Sequence, residues 1–169
     1  MSEGRTHLEI ARARSGLGGG APDAGRIRTA VEAIPDPELP VVTIGDLGMV
    51  HRVEVDPGAI RVTILPTFIG CPALELIRDA VVEGLTDFGR PVTVTTSFET
   101  PWTSERISAA GRAALLAAGI APPADPDDVR CPYCASARVV MDSAFGPTQC
   151  RSLFYCRECR QPFEAMKPV

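Results

Sequence analysis

The stretch 64-ILPTFIGCPALELI-77 sets the organisation of the first half of the chain. Its apolar start predicts a strand, Gly70-Cys71-Pro72 predicts a turn, and the residues that follow have the spacing of an amphipathic helix. Pro72 fits the first helical position, which makes Cys71 the predicted N-cap. A thiolate there would face unpaired backbone N–H groups, so we expect a lowered pKa for Cys71. The alternative is a small buried apolar side chain.

The segments around this stretch predict an α+β domain over residues 26–121, with a small mixed sheet and packed helices in the order helix, hairpin, helix, strand, helix. The turn of the hairpin falls at 56-DPG-58. Thr103 is the predicted N-cap of the last helix and Gly119 its end. The predicted helices cover residues 26–34, 73–85 and about 104–118, and the strands cover residues 51–56, 59–65 and 91–98.

The composition limits the partners and the compartment of the protein. Residues 1–25, rich in Gly, Arg, Ala and Ser, predict a disordered tail or leader, and residues 122–128 predict a Pro/Asp linker. The formal net charge of −4 gives no general reason to expect nucleic-acid binding. No apolar run approaches the roughly 18 residues of a membrane span, and charges interrupt the N-terminus. We therefore expect a cytoplasmic protein with no nucleic-acid or membrane partner.

Four cysteines near the C-terminus have the spacing of a metal site, C-x2-C-x21-C-x2-C. The two turns are 131-CPYC-134 and 156-CREC-159, and each can offer two thiolates, Cys131 with Cys134 and Cys156 with Cys159, to one tetrahedral ion. Zinc is the predicted metal, although iron also suits four sulfur ligands. In a reducing cytoplasm two disulfides are disfavoured. Residues 129–169 therefore predict a small β zinc-ribbon module that needs its ion to fold.

Cys71 lacks the histidine partner of a cysteine hydrolase, because His7 lies in the tail and His51 is predicted as a half-buried strand residue. A role for Cys71 as a ligand of a soft metal ion requires fewer residues that the sequence does not provide. The groups that could complete such a site are Asp36, Glu38 or Asp46, or a second subunit, although these carboxylates are also ordinary turn and loop residues. Cys150 is not one of the four predicted metal ligands. It is interpreted either as a small buried side chain or as an additional free thiol near the metal site.

The strings 34-IPDPELPVVTIGDLGMV-50 and 65-LPTFIGCPA-73 resemble the small α+β domain family associated with iron–sulfur cluster assembly and transfer. That domain is followed by 131-CPYC-134, 145-FGPTQC-150 and 156-CREC-159. Over residues 26–167 the combination resembles the PaaD/PaaJ family of the bacterial phenylacetyl-CoA epoxidase system. The resemblance implies aerobic phenylacetate catabolism, in which diiron oxygenase subunits form a ring epoxide and a flavin and iron–sulfur reductase supplies electrons.

Within that system the resemblance implies an accessory protein that is not itself an enzyme. Its implied role is to assemble or deliver a transient iron–sulfur cluster to the reductase component, with the reductase and oxygenase subunits as partners and a homodimer left open. The implied cluster-binding positions are Cys71, Asp36, Glu38, Asp46 and Cys150. The chain lacks the Glu-x-x-His pairs of a diiron bundle and a G-x-G-x-x-G unit.

Other functions are left open by the sequence. The first is an interaction subunit that stabilises the epoxidase complex without a cluster. The second is an electron-transfer protein with iron in the four-cysteine site. A nucleic-acid-binding ribbon is disfavoured, because the basic excess of residues 129–169 is small once four thiolates surround the ion.

Overall fold

Two small mixed sheets organise residues 24–169, the part of the chain that the computed structural model describes. The predicted tail at residues 1–25 lies almost wholly outside the described residues. The first part contains α1 (Ala24–Glu32), β1 (Val50–Asp56), β2 (Ala59–Ile64), α2 (Leu74–Gly84), β3 (Val92–Thr96) and α3 (Ala109–Ala117). The second contains β4 (Ile120–Ala121), β5 (Val139–Ser143), β6 (Arg151–Cys156) and β7 (Pro162–Met166). Among the described residues, no helix is both long enough and apolar enough to cross a membrane.

The first sheet confirms the predicted hairpin and the mixed character of the sheet. Strands β1 and β2 are antiparallel, with Asp56 opposite Ala59 next to the turn. Strand β3 pairs with β2 in parallel, with Ile60 opposite Val92, and α2 forms the crossover between them. The loop before α2, which carries Cys71, therefore begins where the central strand ends.

The core of the first part lies between this sheet and its helices. Helix α1 packs against β1, and α2 packs against β3. The predicted apolar stripe of the second helix is largely correct, because Ile77, Val81 and Leu85 are fully buried while Leu74 is half-buried. This packing holds α2 against the sheet.

Helix α2 begins later than the sequence predicts, and Cys71 is not its N-cap. The first helical residue is Leu74, and the capping position belongs to Ala73, which makes no side-chain cap bond. The reason is a turn before the helix, in which the Leu74 N–H lies 3.4 Å from the Cys71 carbonyl oxygen. Gly70 enters that turn with a left-handed φ of 86°, which glycine adopts without strain.

The last predicted helix, at residues 104–118, divides into two pieces. A short 3-10 turn covers Ser104–Arg106, and α3 begins only at Ala109. Ser108, not Thr103, caps α3, since its hydroxyl oxygen accepts a 2.9 Å hydrogen bond from the Gly111 N–H. The reason is tertiary, because the Ser108 N–H and hydroxyl both bond to Asp46, at 2.8 and 2.9 Å. The predicted end at Gly119 is confirmed by its φ of 78°.

The second sheet has the strand order β4-β7-β6-β5 and forms the ribbon. Strands β5, β6 and β7 are antiparallel neighbours, and Phe154 stacks on Phe163 with ring centroids 5.6 Å apart. Strand β4, which the sequence places at the end of the first domain, pairs in parallel with β7. The chain therefore enters the ribbon sheet directly after Gly119.

Gly48→Ala is expected to destabilise the first part strongly. Gly48 has a φ of 64°, and a Cβ there would lie 2.4 Å from the Arg106 carbonyl oxygen. The backbone conformation alone costs about 1–3 kcal/mol, and the clash adds to it. Urea unfolding measures the loss. The matched control is Gly58→Ala, because nothing lies within 4 Å of a Cβ at Gly58. Equal stability of the two variants would contradict the account.

Candidate metal and cluster sites

The four ribbon cysteines lie in two turns with the same backbone geometry. In the first, the Ala135 N–H donates to the Cys131 carbonyl at 2.8 Å, and in the second the Arg160 N–H donates to the Cys156 carbonyl at 2.9 Å. Ala135 and Arg160 have left-handed φ angles of 58° and 59°. The two C-x2-C motifs therefore fold alike and present their sulfurs to one another.

The sulfur positions fit a single tetrahedral ion. All four Sγ atoms lie within 4.8 Å of one another, and the pairs Cys131–Cys159 and Cys134–Cys156 are both 3.6 Å apart. Sulfurs bound at about 2.3 Å around a tetrahedral ion are separated by about 3.8 Å. All six cysteines are free thiols, which excludes the disulfide alternative. These cysteines form a metal-binding group whose geometry suits zinc and iron equally.

Backbone amides favour the thiolate form of one sulfur of this group, that of Cys156. The N–H groups of Cys159 and Glu158 lower the pKa of the Cys156 thiol. Burial raises the pKa of the Cys159 thiol, although the Gln161 N–H acts in the opposite direction. Without a cation, four sulfurs this close would keep some of their protons. A metal ion displaces those protons and joins the two turns.

Cys71 lies half-buried on the loop between β2 and α2. Burial raises the pKa of its thiol, and the single N–H bond from Ala73 only partly opposes that effect. Negative charges at Glu38, Cys150 and Asp36 raise the Cys71 pKa further. The prediction of a lowered pKa for Cys71 is therefore wrong, because desolvation and nearby negative charges outweigh the effect of one backbone amide. Cys71 is protonated at neutral pH in the absence of a metal.

Four of the five predicted cluster-site residues share one neighbourhood, because the charges of Asp36, Glu38 and Cys150 all act on Cys71. Asp36 is buried, and its Oδ1 accepts hydrogen bonds from the backbone N–H groups of Glu38, at 2.9 Å, and Leu39, at 2.8 Å. Burial raises the pKa of the Asp36 carboxyl, while these amides lower it. Asp36 thus shapes the loop that carries Glu38.

The fifth residue, Asp46, is held by hydrogen bonds elsewhere. Its Oδ1 accepts from the Ser108 hydroxyl at 2.9 Å, and its Oδ2 accepts from the Thr43 N–H and hydroxyl at 3.2 and 3.0 Å. Partial burial by itself would raise the Asp46 pKa, but these bonds outweigh it and lower the pKa. Asp46 therefore connects α3 to the loop at residues 43–46. Its role as a cluster ligand stays a prediction.

Arg151 is a residue of this region that the sequence did not reveal. It is 8% exposed, forms an ion pair with Glu164, and donates from Nε to the Thr148 hydroxyl at 2.8 Å. Its positive charge also lowers the pKa of Asp36, so the guanidinium connects the ribbon to the first part. In the sequence, Arg151 is visible only as a basic residue at the start of a strand, which does not indicate that it is buried or that it acts on Asp36.

An apolar groove of about 410 Å³ opens beside the Cys71 loop. Its walls come from the segments 66–69 and 97–102 and from Val169. Ile69 is 80% exposed and Phe98 is 57% exposed at this surface. The sequence did not predict the groove, because three distant segments build it.

The two parts of the chain match two family models. Residues 25–96 match the iron–sulfur cluster assembly protein family, and residues 119–167 match the PaaD zinc beta ribbon domain. Fold and site together define a class of protein in which an iron–sulfur-assembly domain is joined to a four-cysteine metal ribbon.

Individual relatives identify the family. The chain is 39% identical over 156 residues to an Escherichia coli K12 protein that is named as one of the subunits of 1,2-phenylacetyl-CoA epoxidase, with 88% of this chain and 94% of the relative covered. It is 36% identical over 97 residues to the Bacillus subtilis 168 Fe-S protein maturation auxiliary factor YitW, with 56% and 91% covered. The crystal structure of a DUF59 domain from Bacillus anthracis matches with a TM-score of 0.50 at 30% identity, covering 54% of this chain and 90% of that one. The chain belongs to the PaaD family of phenylacetyl-CoA epoxidase subunits.

Proposed function

We propose that this chain is a cytoplasmic maturation protein of a phenylacetyl-CoA epoxidase system, without catalytic activity of its own. It assembles or delivers an iron–sulfur cluster for the reductase component. The observation that carries the proposal is the neighbourhood of Cys71, where a second thiol and two carboxylates act on a half-buried sulfur. The names of the relatives, an epoxidase subunit and an Fe-S protein maturation factor, agree with it.

The chemistry of Cys71 suits a ligand that must release its cargo. The thiol loses its proton when it binds iron, and its raised pKa favours protonation again when the cluster leaves. In the transfer step, thiolates of the recipient replace those of the carrier on the irons, so ligands exchange and no electrons are gained or lost. The ribbon site is not suited to releasing its metal in this way. Its four cysteines occupy all four positions around a tetrahedral ion, as in a structural metal site.

Cluster transfer to the reductase component tests the proposal. The reconstituted chain is mixed anaerobically with the apo-reductase in the presence of an iron chelator, and the cluster spectrum of the reseparated reductase is followed. The proposal predicts that the reductase gains its cluster faster than from free iron and sulfide under the same conditions. Equal rates from both sources would contradict delivery.

A second candidate function is an interaction subunit that stabilises the epoxidase complex without a cluster. The apolar groove with exposed Ile69 and Phe98 favours it, because such surfaces mark contacts with other molecules. This function predicts a full complement of ribbon metal, no bound sulfide, and stoichiometric copurification with the oxygenase subunits.

Glu38→Gln is expected to make Cys71 more reactive. Glu38 is one of the like charges that raise the Cys71 pKa, so its removal increases the thiolate fraction at pH 8. Alkylation by iodoacetamide, followed at Cys71 by peptide mass spectrometry, is predicted to accelerate severalfold. Glu83→Gln, on the outward face of α2, is the matched control and leaves the rate unchanged. An unchanged rate in Glu38→Gln would contradict the assigned cause.

A further inference from the structure

We propose that the apolar groove beside the Cys71 loop binds an extended, apolar segment of the protein that receives the cluster. This deepens the proposed function and rests on it. The groove wall and Cys71 belong to the same loop between β2 and α2, and Ile69 of that wall comes just before Gly70 and Cys71. A segment bound in the groove therefore places its protein next to the Cys71 sulfur.

The groove lies where two parallel strands end. Its wall at residues 66–69 follows β2, and its wall at residues 97–102 follows β3. Because β2 and β3 are parallel neighbours, both walls leave the sheet at the same edge. In α/β sheets, the crevice outside the carboxyl ends of parallel strands is a common ligand site. The sheet thus positions the two walls together.

Thr67 presents an unpaired hydroxyl to the groove. The residue lines the groove and is 8% exposed, and its hydroxyl makes no hydrogen bond with any other described residue. In the described part of the chain, every fully enclosed side-chain nitrogen or oxygen has a partner. The Thr67 hydroxyl is therefore not enclosed, and it opens onto the groove. Valine has the same shape without an unpaired polar atom, so the fold does not require this hydroxyl.

The backbone of the same wall also offers free donors. The N–H groups of Thr67, Phe68 and Ile69 make no hydrogen bond within residues 24–169. Buried backbone donors are nearly always paired in proteins, and Thr67 is buried. A small ligand with one polar atom would leave most of these donors unpaired. An extended polypeptide offers a carbonyl group at every residue, as in recognition by strand addition.

The chain itself already places polypeptide at one end of the groove. Val169 forms part of the wall, and its backbone exchanges two hydrogen bonds with Ser104. The Val169 N–H donates to the Ser104 hydroxyl at 3.0 Å, and the Ser104 N–H donates to the Val169 carbonyl at 3.2 Å. The groove thus accepts main chain at this end, and a partner's segment would continue along the same walls.

The side chains of the groove select an apolar occupant. Three aromatic rings line it, those of Phe68, Phe98 and Trp102. The Trp102 indole N–H already donates to the Leu47 carbonyl at 2.7 Å, so this ring offers only its apolar surface. Ile69 and Phe98 are exposed at the rim. Covering these side chains removes apolar area from water, which favours association with an apolar segment.

Binding of the apo-reductase tests the inference, measured by isothermal titration calorimetry on the full chain with its ribbon metal. Thr67→Val is expected to weaken the affinity about fivefold, the value of one neutral hydrogen bond, without loss of stability in urea. Ile69→Ser is expected to weaken it at least about tenfold, because an apolar contact is lost. Val82→Ser, at an exposed position of α2 outside the groove, is the matched control and keeps the wild-type affinity.

The outcomes separate this inference from the proposed function. Wild-type affinity in both groove variants would overturn the inference and leave the proposed function intact, and so would cluster transfer by a wild-type chain that shows no binding. Binding that depends on the groove, without transfer of a cluster, would overturn the proposed function alone.

Hydrogen exchange gives a second readout that needs no variant. The free amides of residues 67–69 are expected to exchange rapidly in the isolated chain and at least about tenfold more slowly with the apo-reductase bound. Unchanged exchange at these amides would overturn the inference. Protection by the oxygenase subunits and not by the reductase would also overturn it, and would support the second candidate function.

Discussion

Cys71→Ser is expected to abolish uptake of an iron–sulfur cluster while leaving the fold and the ribbon metal intact. The side chain is half-buried on the loop before α2, and a serine hydroxyl fits the same space. A hydroxyl does not replace a thiolate as a soft ligand to iron. After anaerobic reconstitution and desalting, the variant is predicted to show neither visible charge-transfer absorption nor acid-labile sulfide.

Two controls accompany this variant. Its ribbon metal content and its urea unfolding curve are expected to match the wild type, since neither depends on the Cys71 sulfur. Uptake of the same cluster by Cys71→Ser and by the wild type would contradict the assignment of this residue. A variant that lost ribbon metal as well would point to a folding defect and not to a missing ligand.

Cys156→Ser is expected to unfold the ribbon. Cys156 is fully buried, and its sulfur belongs to the group of four. Metal binding contributes about 10–16 kcal/mol to the folding of zinc-finger peptides, more than a small apolar core supplies. Phe154 and Phe163 are the two large buried side chains at the centre of the ribbon core. Hydrogen exchange is therefore predicted to show loss of amide protection in β5 to β7.

The first sheet provides the internal reference for this variant. Amides of β1 and β2 are expected to stay protected, because their buried residues belong to a separate core. A chelator that removes the metal from the wild-type chain is predicted to give the same pattern. Cys150→Ser, which leaves the four ligands intact, is expected to keep full protection. Protected β6 amides in a metal-free chain would contradict a metal-dependent fold.

Local sequence patterns predicted the parts of the structure that depend on near neighbours. The spacing of the four cysteines predicted the metal group, because each C-x2-C turn is built from four consecutive residues. The apolar stripe with Ile77 and Val81 predicted the buried face of α2. The turn at Asp56-Pro57-Gly58 predicted the hairpin. In each case the information lies within one turn or one helix.

The predictions that were wrong concern features that depend on contacts between segments distant in the sequence. The start of α3 moved because Asp46, far away in the sequence, holds Ser108 in an extended conformation. The pKa of Cys71 is raised by burial and by charges from Glu38 and from Cys150 in the ribbon, which no local pattern brings together.

Iron and acid-labile sulfide analysis of the anaerobically purified and reconstituted wild-type chain tests the central claim most directly. The account predicts metal in the ribbon and, in addition, iron and sulfide in equal amounts that depend on Cys71. Ribbon metal alone, with no sulfide retained under conditions that load a known cluster carrier, would contradict it.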